Sequence, residues 1–190
     1  NSLLKRPDEK ENFYPLSLSW CRGCSLIQLN HTVEPKLLFS SYVWVTATSK
    51  TAKEQSKVLY NEIVSRAKNL KDSYVLEIAS NDGTFLLPFA QNDYKVLGID
   101  PAKNIVDEAV ASGIPTKCDF FGMKSAANIL KEHGAAQVVM ARNVLPHVAN
   151  LHDFVEGLSM CLKEDGLLVL EVHYARIIYE ELQYDSIYHE

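Results

Sequence analysis

Several features that would mark a function class are missing from this 190-residue sequence. No apolar run approaches the roughly 18 residues of a membrane helix. No basic segment followed by an apolar one opens the chain, so no secretory signal is visible. There is no basic excess. The 24 acidic residues outnumber the 19 Lys and Arg, giving a formal net charge of −5, whereas a nucleic-acid binder is expected to be basic. Cysteine is scarce. Four residues do not make a disulfide scaffold in a chain this long. A reducing cytoplasm is therefore the expected compartment, with neither membrane nor nucleic acid as a partner. Repeats and low-complexity tracts are lacking too, and the first residue is Asn1 rather than Met. What is present is ordinary globular material: 47% of residues are hydrophobic, enough for one core.

The chain changes character near residue 70. Residues 13–29 read as two short strands, with Leu16, Leu18 and Trp20 alternating with serines. Between them Cys21-Arg-Gly-Cys24 turns the chain. Pro35 is suited to open a short helix ending at Phe39, and residues 42–45 are β-prone. An amphipathic helix is expected over 48–69, with Ala52, Leu59, Ile63 and Ala67 on one face and Thr48 or Ser49 as cap.

From residue 73 short apolar runs alternate with helical segments. Strands are expected at 74–79, 95–99, 116–118, 137–141 and 166–172. Helices are expected at 84–91, 102–112, 123–133 and 151–163. This is the βαβ rhythm of a doubly wound parallel sheet.

The segment Val75-Leu-Glu-Ile-Ala-Ser-Asn-Asp-Gly83 carries most of the functional signal. An apolar strand runs into a tight polar turn of the kind that lets a ligand approach backbone N–H groups. A dinucleotide site asks for G-x-G-x-x-G, and Ala79, Asn81 and Thr84 stand at those positions. A site for S-adenosylmethionine (SAM) asks for an acid before the turn and a looser glycine pattern. Glu77 is that acid, suited to the methionine ammonium. Asn81 tolerates a left-handed backbone, and Gly83 allows close approach.

Asp100, ending the second strand about 20 residues after the loop, suits ribose hydroxyls, and equally suits the cap of the next helix. Asp119 and Phe120 end the third strand and could bracket an adenine, although Phe120 and Phe121 read as readily as core. The fourth strand ends in Met140-Ala-Arg-Asn143-Val-Leu-Pro-His147.

Taken together, EIASNDGTFLLPFA, GIDPAKNIVDEA, CDFFG, ARNVLPHV and the final DSIYHE resemble the SAM-dependent sugar C-methyltransferases. That family acts on nucleotide-linked 4-keto deoxysugars. The resemblance includes WCRGCSLIQL and SSYVW and covers nearly the whole chain. It implies a Rossmann-like, mostly parallel α/β sheet with a small N-terminal zinc-knuckle β segment. The implied division is a partial zinc-binding hairpin over 1–33, a helical linker and cap over 34–70, and a SAM-binding domain over 71–190 that is incomplete at its C-terminus.

It further implies cofactor contacts at Glu77, Ser80, Asn81, Gly83, Asp100, Pro101, Asp119, Phe120 and Asn143. The implied acceptor side is Tyr42, His147, Tyr188 and Glu190. Ala79 departs from the family, which has glycine there, and adds a methyl group beside the cofactor. The family's base is the histidine after Y-H-E, one residue beyond Glu190. The expected chemistry removes the proton next to a ketone and attacks the SAM methyl with the resulting carbon, releasing S-adenosylhomocysteine. Tyr and His suit an enolate oxygen.

Cys21 and Cys24 make C-x-x-C, half of a structural zinc set. The family's other pair lies upstream of the first residue here, and His31 is a third candidate. Cys118 and Cys161 read as buried hydrophobes. Two other functions fit parts of the sequence. One is a SAM methyltransferase acting on another small-molecule acceptor. The other is a non-catalytic zinc-knuckle interaction module, suggested by C-x-x-C and Trp20 and opposed by the acidic balance.

Overall fold

The computed structural model describes residues 6–10 and 12–183. Two short strands, β1 (Leu18–Trp20) and β2 (Ile27–Leu29), pair antiparallel around the Cys21–Cys24 turn. Helix α1 (Pro35–Phe39) starts on its proline and buries no residue. Helix α2 (Lys50–Arg66) is capped by Ser49, whose hydroxyl accepts from the Ala52 N–H at 3.2 Å.

The remainder is one sheet. Strands β3 (Tyr74–Ile78), β4 (Lys95–Asp100), β5 (Thr116–Cys118), β6 (Ala136–Arg142) and β7 (Leu162–Glu171) lie in the order β5-β4-β3-β6-β7. Every pairing is parallel. The connecting helices are α3 (Leu87–Ala90), α4 (Lys103–Ala111), α5 (Met123–His133) and α6 (Leu151–Cys161), and α7 (Ala175–Glu180) follows β7.

Strand alternation divides the core. Tyr74, Leu76 and Ile78 of β3, with Val139 and Ala141 of β6, meet Ile129 of α5 and Phe154 of α6. Val75, Val138 and Met140 face Ile63 of α2, Phe89 of α3 and Ile114 on the other side. Both faces of the central strands β3 and β6 are covered and these strands are buried nearly throughout, as a parallel sheet requires, whereas the edge strand β7 leaves Leu168 and Leu170 40% and 46% exposed. Glu77 shares the parity of Val75. A carboxylate therefore occupies an inner position at the carboxyl end of the central strand, 2% exposed.

Three expectations change. The helix expected at 84–91 shrinks to α3, because Pro88 has no N–H to bond the Thr84 carbonyl. Turns closed by Leu86 and Leu87 N–H on the Gly83 carbonyl precede it. Residues 42–45 form no strand. Side-chain amides take the place of a strand partner, as described below. Strand β7 begins earlier than expected, at Leu162. It reaches its main register only after an irregularity, since Ala136 pairs with Leu162 and Val138 with Leu167. Among the described residues no helix is long and apolar enough to cross a membrane.

Candidate functional site

In the order β5-β4-β3-β6-β7 the chain winds one way from β3 and the other way from β6. Parallel sheets bind ligands at such a reversal, outside the carboxyl ends of the strands. A cavity of ≈ 690 Å³ opens there, within the usual range for small-molecule sites. Its walls come from the ends of β3, β4 and β6, the segment after β5, residues 144–154 at the start of α6, and α1 with the strap of residues 40–48 that follows it.

The β3 turn is built from left-handed residues. Ala79 has φ 53°, Asn81 φ 49° and Gly83 φ 78°. Only glycine takes this region without cost; for other residues it costs about 1–2 kcal/mol. Asp82 stabilises the turn by accepting from the Thr84 N–H (3.1 Å) and hydroxyl (2.7 Å). Gly83 does not line the cavity. A Cβ there would meet the Ile114 side chain at 2.9 Å, so its glycine lets the turn pack onto the core.

Two buried side-chain atoms among the described residues have no hydrogen-bond partner: Glu77 Oε2 and Ser80 Oγ. Both residues line the cavity, but Ser80 Oγ is turned toward Gly98, which does not. Leaving a buried carboxyl oxygen unpaired is costly, so Glu77 is the residue of the lining most in need of a polar partner. Burial pushes the Glu77 carboxyl up to about 8, partly countered by Arg142, with Asp82, Asp100 and Glu171 adding to the rise. Arg142 is only loosely Glu77's partner. Its Nη1 lies 3.7 Å from Glu77 Oε1, while its Nε lies 2.8 Å from Glu171 Oε2. The guanidinium also stacks 3.1 Å over the Phe85 ring. Below pH 8 Glu77 is therefore largely protonated, and a ligand cation would take the place of that proton.

Asp100 is buried and has a raised pKa from desolvation, opposed by two backbone N–H bonds. Its oxygens accept from Ala102 N–H (2.9 Å) and Asn81 N–H (3.0 Å). The carboxylate thus braces two cavity loops and faces the cavity. Pro101 lies beside it in the lining.

Asp119 is exposed and accepts from the Phe120 N–H at 2.8 Å. Asp119, Phe120 and Phe121 all line the cavity. Phe121 also packs edge-on against Phe154 at 5.3 Å and belongs to the core fringe. Asn143 adopts φ 50° and donates from Nδ2 to Glu171 Oε1 at 2.7 Å. Glu171 therefore anchors both Arg142 and Asn143.

Tyr42 and His147 enter the same cavity from opposite elements. The Phe39 ring stands between them, 6.3 Å from Tyr42 and 5.5 Å from His147. Tyr188 and Glu190 lie outside the described residues.

Cys21 and Cys24 are exposed free thiols on the hairpin turn. N–H groups of Cys24 and Gly23 lower the Cys21 pKa, which favours the thiolate that metals bind. Among the described residues no group of three or more His, Cys, Asp or Glu could hold a metal ion. His31 packs instead on Tyr14 at 5.5 Å and does not complete the set. The pair fits two of the four positions of a structural zinc. Of the other two cysteines, Cys161 is buried and Cys118 is exposed, against expectation. The edge position of β5 leaves the Cys118 side of the sheet uncovered.

Asp82, Phe85, Asn104, Arg142 and Glu171 were not anticipated. Asp82, Phe85, Asn104 and Arg142 sit inside the quoted motifs, whereas Glu171 lies outside them. Asn104 and Glu171 act across the fold, on partners that no local pattern names.

This sheet order, with a cavity at the reversal and acids ending the two central strands, defines a Rossmann-like α/β binding fold. The chain belongs to the methyltransferase family: a family model described as Methyltransferase domain matches residues 52–190. A second model, described as Putative zinc binding domain, matches residues 1–39. The chain is similar to the C-methyltransferase NovU of Streptomyces niveus, 32% identical over 180 residues. That match covers 95% of this chain and 43% of the relative, so this chain spans less than half of that protein's length. It is also 23% identical over 163 residues to a ubiquinone biosynthesis O-methyltransferase of Rickettsia bellii, covering 86% of this chain and 60% of that one. Among solved structures its fold is similar to that of CalS10, an amino pentose methyltransferase from Micromonospora echinaspora. There the TM-score is 0.51 at 19% identity, over 64% of this chain and 51% of that one.

Proposed function

We propose that this chain binds S-adenosylmethionine in the switch-point cavity. We further propose that it forms part of an enzyme methylating a carbon next to the ketone of a nucleotide-linked 4-keto deoxysugar. The observation that carries the first claim is Glu77, a buried acid with an unpartnered carboxyl oxygen, in the lining of a cavity of suitable size. A ligand ammonium would give Glu77 the counter-charge that Arg142, drawn to Glu171, supplies only in part. Asp100 would hold ribose hydroxyls, and Asp119 with Phe120 would meet the adenine. When bound, S-adenosylmethionine supplies an electrophilic methyl group. The acceptor-side residues are Tyr42 and His147, which would donate to the ketone oxygen as negative charge develops there. Tyr188 and Glu190 complete that side in this reading. Support for carbon methylation comes from the similarity to a C-methyltransferase.

Cys21 and Cys24 would bind zinc together with ligands outside the described residues. Metal analysis of the purified protein tests this, and absence of zinc would sink it.

Calorimetric titration with S-adenosylhomocysteine is the primary test. Saturable binding is expected, and no heat at millimolar ligand would overturn the cofactor reading. A second acceptor class is favoured by the similarity to an O-methyltransferase. Turnover on a panel of 4-keto sugar nucleotides against phenolic acceptors separates the two.

A further inference from the structure

The strap of residues 40–48 lies between the two family-matched segments, 1–39 and 52–190, except at no point does it form a strand or a helix longer than one turn. Its backbone is nonetheless fastened at both ends. At one end the Asn104 side chain makes a reciprocal pair with Tyr42: the Tyr42 N–H donates to Asn104 Oδ1 (3.1 Å), and Asn104 Nδ2 donates to the Tyr42 carbonyl (2.8 Å). The Lys103 N–H also donates to the Ser40 carbonyl (3.3 Å). At the other end Asn81 Oδ1 accepts from the Thr46 N–H (2.9 Å) and hydroxyl (3.0 Å), while its Nδ2 donates to the Trp44 carbonyl (3.0 Å). Asp82 Oδ2 accepts from the Ala47 N–H (2.8 Å). Two carboxamides thus do what a neighbouring strand would do: Asn81 stands on the turn after β3 and Asn104 in the first turn of α4.

We propose that Asn104 is a positioning residue: it pins the Tyr42 backbone to the start of α4 and, with Asn81 at the far end, holds the strap as a wall of the cavity that retains the cofactor. The inference rests on the cofactor reading above. The side chains so held, Tyr42 and Trp44, line the cavity together with Asn81 and Pro101. Asn104 does not line it and acts only through the strap. Loss of the pair loosens one end, which keeps the Lys103 to Ser40 bond, and leaves the Asn81 end fastened, so the strap opens as a flap rather than detaching.

The test uses the 190-residue chain and its Asn104→Ala and Asn104→Asp variants. Exchange of the individual Tyr42, Thr46 and Ala47 amides is followed by NMR, and S-adenosylhomocysteine release by stopped flow. Asn104→Ala is expected to speed Tyr42 amide exchange and ligand release by about tenfold each, the size of a lost hydrogen-bonded contact, while amides of β3 and β6 keep their protection. Asn104→Asp keeps the acceptor for the Tyr42 N–H and loses the donor to its carbonyl, so it should fall between. Tyr42 exchange unchanged in Asn104→Ala would overturn the proposal, as would faster exchange with unchanged ligand release. If the unsubstituted chain fails to bind S-adenosylhomocysteine, the cofactor reading and ligand retention fall together. Amide exchange then still reports the clamp separately.

Discussion

The N-terminal hairpin and the parallel sheet are both rich in large apolar residues, and they use them oppositely. Leu18, Trp20 and Ile27 are 43%, 61% and 56% exposed, and no residue of β1 or β2 is buried. All five residues of β3 are buried. The difference is what covers them. The sheet has α2 and α3 on one face and α5 and α6 on the other, whereas the hairpin has a three-pair ladder and a turn. A two-stranded hairpin is marginal in water, so its order must come from ligation or a partner surface, while the sheet is stabilised by burial.

That contrast can be broken by substitution. Leu76, fully buried in the central strand, should cost about 2–5 kcal/mol on change to Ala. Leu18→Ala on the hairpin should cost no more than about 0.5 kcal/mol. Urea denaturation of both variants checks the contrast, and equal losses would refute it.

Glu77 tests the functional end of the same sheet. Glu77→Gln should weaken S-adenosylhomocysteine binding about 100-fold, the cost of removing one partner of a buried charge pair, measured by calorimetry. The same substitution should change how stability depends on pH. The Glu77 carboxyl titrates near 8 when folded against an ordinary 4.5, so the folded protein holds the extra proton between those values. Its contribution to stability is complete below about 4.5 and is lost as pH rises through 8. Glu77→Gln removes that decline, which melting temperatures between pH 5 and 9 would show. Ligand affinity in the unsubstituted chain should rise over the same window, with proton release on binding.

Two smaller effects sharpen the comparison. Ala79→Gly relieves a φ of 53° and should stabilise the protein by about 1 kcal/mol, less the entropy that glycine loses on folding. Zinc should alter only hairpin resonances, through Cys21 and Cys24. A Cys21→Ser, Cys24→Ser variant should abolish the response without moving the melting temperature of the sheet.

The rhythm of short apolar runs and helices was enough to read the sheet, because strands buried on both faces must be apolar along their length. It was not enough at residues 42–45, where β-prone residues meet carboxamides instead of a strand. Nor was it enough at 84–91, where one proline shortens a helix. The site was legible where a residue's type and its distance from a strand end carry the chemistry, as at Glu77 and Asp100. Gly83 shows the reverse: its glycine is explained by Ile114, 31 residues away, and not by the cavity.

Local sequence alone therefore determined the order of strands and helices in the sheet, the acids ending β3 and β4, and the cysteine turn, since each depends on periodicity or spacing along the chain. Only the tertiary structure decided that Arg142 is shared between Glu171 and Glu77, that Phe121 both lines the cavity and joins the core fringe, and that Asn104 fastens Tyr42. Those pairings join residues tens of positions apart, and no local pattern encodes which distant groups a fold brings within hydrogen-bond reach.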